Sequence, residues 1–293
     1  MLLPRFDFHD PASVQEALDL KKTYRENARI LAGGTDLLVH LKKDLVSVEH
    51  LISVTKIDEL LKIEEKGGDI TIGACVTMAS LAASGLIGEK LPALKQGAQS
   101  LGNHLIRNKA TIGGNACNAS PAGDTLCALL IYDAAVILQN SEGAREVPVS
   151  DFFVGPGKSC INDDELLTGF RIAVPPAGSG ADYIQLGKRK SSEINVVNVA
   201  SYIEIDPANQ NILNARIALG SVAPTPIRGA KAEQVLAGKT ADDTVFFEAA
   251  EAARRDDCKP IDDFRGTAGY RQAMIGVLTR RTLAAALAQA QGK

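Results

Sequence analysis

The chain reads as a protein of two domains, α/β in its first half and α+β in its second, and three features of the sequence predict this. Strand-like and helix-like segments alternate through the first half. A proline- and glycine-rich stretch, Val174-Pro175-Pro176-Ala177-Gly178-Ser179-Gly180, then interrupts the pattern. Two strand-like runs and two helical stretches follow it. At 293 residues, 45% hydrophobic and 23% charged, the chain is long enough to bury a large core and exceeds the usual single-domain length. The linker sets the expected boundary, giving domains 1–176 and 181–293.

The elements follow in order. Ser13-Val14-Gln15-Glu16 is a capping box that opens a helix running to about Tyr24, with Val14, Ala17, Leu18 and Leu20 inward. A strand at Ile30-Leu31-Ala32 precedes a helix from Leu37 to Lys43, which Asp36 is expected to cap. Leu51 to Val54 is a strand. Leu61 to Glu64 and Ile70 to Gly73 flank Gly67-Gly68-Asp69 as a hairpin. Helices start at Thr77 and Pro92, and the apolar run Leu126 to Leu138, broken by Asp133, reads as a buried helix and strand. The strand Phe170 to Ala173 ends at the linker. Val196 to Ile205 and Ile212 to Leu219 are antiparallel strands, and helices cover Val245 to Arg254 and Gly269 to Ala290. Met274, Val277, Leu278, Thr282, Leu283, Ala286 and Leu287 give the last helix an apolar stripe, marking it as a core helix or a partner surface.

Two glycine pairs carry the functional information: Ala32-Gly33-Gly34-Thr35-Asp36 and Thr111-Ile112-Gly113-Gly114-Asn115. The first is a strand-to-helix turn, where missing side chains free backbone N–H groups to cradle an anion. The second precedes the small and amide-rich tract Cys117 to Asp124. Together they suggest a diphosphate held between two loops. Neither has the Gly-Lys-Ser/Thr ending of a P-loop or the three-glycine spacing of a Rossmann turn.

Other classes are disfavoured. A net charge of −3 with dispersed Lys and Arg, and no tryptophan, argues against nucleic acid as the partner. The N-terminal segment Met1 to Asp10 carries acids and a proline where a signal peptide needs a basic end and an apolar run, so the expected location is cytoplasmic. No segment approaches the ~20 apolar residues of a membrane span. The five cysteines, Cys75, Cys117, Cys127, Cys160 and Cys258, have neither cluster nor Cys-x-x-Cys spacing. Cys75 and Cys127 read as apolar filler, Cys117 as loop packing, and no metal site is expected. His40 and His50 lack partners at ligand spacing and read as surface or loop residues.

Leu31 to Leu37, then Ile106 to Asn115 with Asn118-Ala119-Ser120-Pro121 and Asp124, resemble the two flavin loops of the FAD-binding medium subunits of molybdenum hydroxylases, the xanthine dehydrogenase and carbon monoxide dehydrogenase family. The likeness continues through Leu219 to Arg228, Ala237-Gly238-Lys239, and Asp263 to Arg271 with Arg280-Arg281. It spans essentially the whole chain. The resemblance implies a two-lobed FAD-binding domain of the molybdopterin dehydrogenase (PCMH/VAO-like) type, followed by a smaller α+β domain with an antiparallel sheet.

It also implies a noncovalent, extended FAD. The first loop, Ile30, Leu31, Ala32, Gly33, Gly34, Thr35, Asp36 and Leu37, would hold the pyrophosphate. Thr111, Ile112, Gly113, Gly114 and Asn115, with Asn118 and Ser120, would meet it from the other side. Asp124 matches an acid toward the adenosine end, and Leu101 and Leu167 match ring-packing positions. A lysine of several relatives falls at Gln185, with Lys188, Arg189 and Lys190 as substitutes. Near Glu193-Ile194-Asn195 the carbon monoxide dehydrogenases carry a tyrosine over the isoalloxazine and the xanthine dehydrogenase type an aliphatic residue, so Ile194 leans toward the latter. The cysteine-bearing insertion of some acyl-CoA reductase relatives is absent from the sequence.

The implied activity is electron transfer, with no catalytic acid or base required of this chain. A large subunit would carry the molybdenum cofactor, a small subunit two [2Fe–2S] clusters, and NAD⁺ would accept electrons from FAD, with oxygen or a quinone as other acceptors, in a heterotrimer. Two alternatives stand beside this. A freestanding flavin oxidase or reductase of the same fold would need a linking residue such as His104 or Cys117. A non-catalytic nucleotide-binding scaffold would need no chromophore.

Overall fold

The computed structural model describes residues 3–189 and 191–292. The chain opens with β1 (Asp7–His9) and α1 (Val14–Tyr24). Ser13 Oγ accepts from the Glu16 amide at 3.2 Å, while Glu16 Oε2 accepts from the Ala12 amide at 2.8 Å, one residue beyond a standard capping box. Then come β2 (Ala28–Leu31), α2 (Leu37–Lys42) and β3 (His50–Ser53). These three strands form a parallel sheet in the order β1-β3-β2. Val14, Ala17 and Leu18 of α1 cover its Ala28 and Ile52.

The hairpin β4 (Ile63–Lys66) and β5 (Asp69–Gly73) turns at Gly67 and Gly68, whose φ of 63° and 87° are the left-handed values a two-residue type I′ loop needs. A run of helices follows: α3 (Met78–Ala83), α4 (Gly85–Lys90), α5 (Pro92–Ser100), α6 (His104–Arg107), α7 (Ile112–Cys117) and α8 (Leu126–Ile131). Every residue of α8 is buried, as expected for a helix apolar on all sides. The chain continues through β6 (Ala135–Asn140), β7 (Gly143–Pro148), α9 (Val149–Phe152), the short pair β8 (Phe153–Gly155) and β9 (Lys158–Ser159), and β10 (Leu166–Ala173). A five-stranded antiparallel sheet in the order β4-β5-β10-β6-β7 results. Strand β10 starts ahead of the Phe170 expected from sequence, which brings Leu167 into the sheet.

After the linker, β11 (Ser179–Leu186), β12 (Val197–Ile205), β13 (Ile212–Gly220) and β14 (Ile227–Arg228) form a four-stranded antiparallel sheet. Helices α10 (Ala230–Leu236), α11 (Asp243–Ala252) and α12 (Ala268–Ala290) close the chain. Period-2 alternation gives this sheet two buried faces. Ala181, Tyr183, Ala200 and Tyr202 join the core around α5 and α8, while Val197, Val199, Ile203 and Leu219 face α11 and α12. Asp133, in the turn between α8 and β6, pairs with Arg216 at 2.6 Å and Arg228 at 2.7 Å on β13 and β14.

Three expectations need correction. The buried face of α12 is Arg271, Ile275, Leu278, Thr279, Thr282, Leu283 and Ala286, while Val277 is 39% exposed and Met274 and Leu287 are only half-buried. Polar residues enter this face because the sheet offers partners: Arg271 donates to Ser221 O at 2.9 Å and to Asp263 Oδ1 at 2.6 Å. Asp36 makes no capping hydrogen bond, because its own backbone is helical and its carboxylate instead accepts from Thr35 Oγ1 at 3.4 Å. His50 is no loop residue but the first residue of β3, stacked on Tyr24 at 3.7 Å and bonded to His9 at 3.1 Å.

Ser201 Oγ and Thr282 Oγ1 meet at 2.7 Å in the fully buried interface between β12 and α12. Thr282→Val strands the Ser201 hydroxyl and costs about 1–3 kcal/mol. Chemical denaturation of Thr282→Val, Ser201→Ala and the double variant checks this. The double variant is expected to recover most of the loss, and strict additivity would refute the pairing.

Candidate functional site

A cavity of about 560 Å³ runs between the β1-β3-β2 lobe, the α5 to α8 region and the segment that follows β11. The glycine turn after β2 forms one wall. The N–H groups of Gly33, Gly34, Thr35 and Asp36 donate to no protein acceptor among the described residues. A Cβ on Gly33 would lie 1.8 Å from the Lys109 carbonyl oxygen, so only glycine allows this turn to touch the chain ahead of α7.

The second glycine pair does something different. Ile112 N–H donates to Val76 O at 3.0 Å, Gly113 N–H to Ala74 O at 2.9 Å, and Asn115 N–H to Thr111 O at 2.9 Å. Gly114 N–H donates to the Thr111 side chain at 3.1 Å. The first two amides seal α7 against the segment after β5 and the last two are consumed at the helix's own cap, Thr111, and Gly113 is small because Ala74 lies against it. The expected symmetry between the loops is therefore absent: the first has open donors and the second presents only surface. Asn115 Oδ1 accepts from Thr125 Oγ1 at 2.7 Å and ties α7 to the start of α8.

Of the residues singled out from sequence, Ile30, Ala32 to Leu37, Leu101, Thr111, Gly113 to Asn115, Asn118, Ser120, Asp124 and Leu167 line the cavity. Four do not. Leu31 packs against the small cluster of Leu41, Val48 and Leu51, and Ile112 is fully buried in the main core. Gln185 sits on β11 opposite Asn198, with its carbonyl oxygen buried and unpaired. Lys188 donates to Phe264 O at 2.5 Å. Arg189 donates to Glu193 at 2.8 Å, and Lys190 lies outside the described residues. Neither Lys188 nor Arg189 lines the cavity.

Two minor assignments also change. Cys117 is exposed and lines the cavity, because α7 turns that face inward, so it is not a packing residue. His40 is half-buried and lines the cavity from α2, while His104 is exposed and does not line it.

The sequence reading missed the far end, where Lys21, Arg29, Val54, Cys75, Ile161 and Glu165 line the wall. Lys21 is 8% exposed, and burial lowers its pKa. Glu165 is gripped by Arg145 at 2.6 and 2.9 Å, which holds its carboxyl below the usual range. Lys21 was detectable: it falls at helical spacing on the same face as Val14, Ala17 and Leu18.

The opposite end lies under the segment between β11 and β12. Ile194 is 52% exposed there and Ile106 37%, and both line the cavity. Asn195, 1% exposed, donates through Nδ2 to Ala122 O and to Asp124 Oδ1, each at 3.1 Å. Ser100 Oγ approaches the same Asp124 oxygen at 3.4 Å. Burial pushes the Asp124 carboxyl up to about 6. Asp124 and Ile194 thus share one end, although the resemblance assigns them to opposite ends of the cofactor.

The FAD-binding domain of molybdopterin dehydrogenases matches residues 4–176, and the carbon monoxide dehydrogenase flavoprotein C-terminal domain matches residues 182–286. The chain belongs to the FAD subunits of the molybdenum hydroxylases. Like them it is an FAD-binding oxidoreductase component. It is 36% identical over 291 residues to the carbon monoxide dehydrogenase medium chain of Afipia carboxidovorans, covering 99% of this chain and 100% of that one. Identity with the xanthine dehydrogenase FAD-binding subunit of Escherichia coli O157:H7 is 32% over 293 residues, covering 98% and 99%. In structure it superposes on a chain of carbon monoxide dehydrogenase from Hydrogenophaga pseudoflava with a TM-score of 0.94 at 33% identity, covering 99% of each. Quinoline 2-oxidoreductase from Pseudomonas putida 86 gives 0.92 at 26% identity, covering 99% and 100%. Among the described residues no helix is long and apolar enough to cross a membrane.

The site fits the cofactor of this flavoprotein family, since open amides suit a diphosphate and Leu101, Leu166 and Leu167 offer apolar walls for rings. Gly33→Ala must separate the two loops. It is expected to weaken FAD binding roughly 10- to 100-fold, measured by FAD fluorescence titration, with circular dichroism reporting an intact fold. Unchanged affinity would remove the turn from the site.

The pH dependence has a definite sign. Asp124 has a folded pKa of about 6 against an ordinary 3.8, so the folded chain holds the extra proton between those values. Its contribution to stability is full below the lower value and lost as pH rises through the upper one. Asp124→Asn should therefore gain melting temperature relative to wild type as pH is raised from about 4 to above 6, without FAD. A constant difference across that window would contradict the buried carboxyl.

Proposed function

We propose that this chain is the electron-output subunit of a molybdenum hydroxylase complex and delivers electrons to NAD⁺. The medium-chain names of its relatives support a complex in which a large subunit carries the molybdenum cofactor and a small subunit the [2Fe–2S] clusters. FAD, when bound, accepts electrons one at a time and releases them as a hydride. The observation that carries the reading is the run of unpaired amides at Gly33 to Asp36, in a cavity lined by Lys21 and Arg29 and also by the half-exposed Ile194 and Ile106.

The chain's residues then have distinct tasks. Amides of Gly33 to Asp36 hold the diphosphate, helped by the preceding strand that aims them. The wall formed by Val54, Ile161 and Leu166 would receive the adenosine. The isoalloxazine would lie at the open end under the half-exposed Ile194, where its oxidant can reach it, and Asp124 would then meet the ring system and not the ribose. Gln185 and Lys188 take no part in holding the cofactor. Ile194 bounds the mouth, and no Phe, Tyr or Trp lines the cavity among the described residues, which leaves a ring face open to a nicotinamide. A cytoplasmic location follows from the choice of NAD⁺ and from five unpaired thiols.

Stopped-flow reoxidation of the reduced complex tests the acceptor. NADH should form at a rate that Ile194→Tyr lowers roughly tenfold, about 1.4 kcal/mol, while reoxidation by ferricyanide stays unchanged. If ferricyanide or a quinone reoxidises the complex and NAD⁺ does not, the acceptor assignment fails.

A further inference from the structure

We propose that Asp124 supplies the proton that FAD takes up when this chain is reduced, with Asn195 as its positioning residue. This rests on the seating of the isoalloxazine at the open end argued above.

The balance of the reaction demands such a group. Two electrons arriving from a partner's clusters bring no protons with them. The hydride passed to NAD⁺ takes away two electrons and one proton. Each turnover would therefore bring one proton into the site, which bound FAD would take up with the two electrons and which would leave in the hydride that converts NAD⁺ to NADH. The proton must come from a group at the ring end that is reloaded from water.

Two acids line that end, Asp124 and Glu193. Glu193 is paired with Arg189 at 2.8 Å, which holds it below the usual carboxylate range and keeps it ionised. Asp124 has no cation within salt-bridge distance among the described residues. Asn195 Nδ2 donates to Oδ1, which the Ser100 hydroxyl also approaches at 3.4 Å while donating its proton to Gly97 O at 2.8 Å. Oδ2 accepts from no protein donor among the described residues, and Asp124 lines the cavity.

The surroundings on every side are neutral donors or distant charges. Helix α5 brings Ser100 and Gln96, whose amide is occupied by Asp182 at 2.7 Å. Strand β11 brings Asp182 and Tyr183, whose hydroxyl is 3.5 Å from Asn195 Nδ2. Helix α8 brings Cys127, whose thiol donates to Asn198 at 2.9 Å. Helix α6 brings Arg107, which donates to Leu101 O at 2.9 Å. With no fixed countercharge, the carboxyl exchanges its proton near neutrality, consistent with its raised pKa of about 6. Asn195 is itself locked, since its backbone carbonyl accepts from Ser221 Oγ at 3.2 Å.

The test uses the FAD-loaded complex and reads the flavin directly. Spectroelectrochemical titration should show a break near pH 6 in the potential of wild-type FAD, and Asp124→Asn should lack it. Rapid reduction of FAD by dithionite should slow roughly 100-fold in Asp124→Asn, with Asp124→Glu recovering most of the rate. Wild-type rate and pH profile in an FAD-loaded Asp124→Asn complex, or no break in wild type, overturns the proposal. If Asp124→Asn loses its FAD, Asn195→Ala decides: the break should move to higher pH as the donor to Oδ1 is lost, and an unmoved break overturns the assignment. An Ile194→Tyr complex whose FAD spectrum and potential match those of wild type would fault the seating of the ring instead.

Discussion

The contact between Gly33 and the Lys109 carbonyl is the constraint on which the site depends. It joins a turn of the parallel lobe to the turn leading from α6 into α7, with no room for a methyl group between them. From that point the first loop can go only one way. Its amides face the cavity because its far side is closed by backbone, and α2 must start immediately after Asp36. Ile112 and Gly113 reinforce the arrangement by donating to Val76 and Ala74, so that α7 is a fixed wall against which the first loop is set. Anion binding here is consequently a property of a junction and not of a single motif.

The C-terminal sheet supplies the other constraint. Its inner face shares a core with α5 and α8, and its edge reaches the turn before α8 through Ser221 N–H, which donates to Pro121 O at 2.8 Å. The same turn carries Ala122 and Asp124, both of which accept from Asn195. Motion of the sheet against the first half would therefore break buried hydrogen bonds at the ring end. Such bonds are worth more in a low-dielectric setting than at the surface, and leaving their partners unpaired is costly. The cavity mouth is thus built from two halves of the chain held in register by the Pro121 to Asp124 turn.

What was legible in the sequence was whatever depends on neighbours along the chain. The Gly67-Gly68 hairpin, the Ser13 cap, α8 and the long C-terminal helix all follow from periodicity or turn chemistry, and each is present. The glycine turn at Gly33 was legible for the same reason. Distant partners were not. Nothing local says that Gly113 and Gly114 spend their amides on Ala74 and Thr111, that His50 stacks on Tyr24, or that Lys188 turns away to Phe264. Asp36 failed as a cap because a favourable residue type was read without knowing that its backbone is already helical. The resemblance set Asp124 and Ile194 at opposite ends, and only the Asn195 bridge brings them together.

That bridge explains why an acid without a cation is tolerated at the mouth. A buried carboxylate is ordinarily paired, as Glu165 is with Arg145 and Asp263 with Arg271. The Arg145 pair keeps Glu165 ionised at a rigid wall, where a fixed charge costs nothing in function. Asp124 has instead one neutral donor, Asn195, on one oxygen, an arrangement that supports the charged form only partly and leaves the second oxygen without a protein donor among the described residues. An arginine in place of Asn195 would stabilise the fold's charge but hold Asp124 permanently ionised. An apolar residue there would keep it protonated and unoriented. An amide is the intermediate choice, strong enough to fix the carboxyl and weak enough to let it titrate, and the segment carrying Ile194 delivers it to the place where the cavity opens.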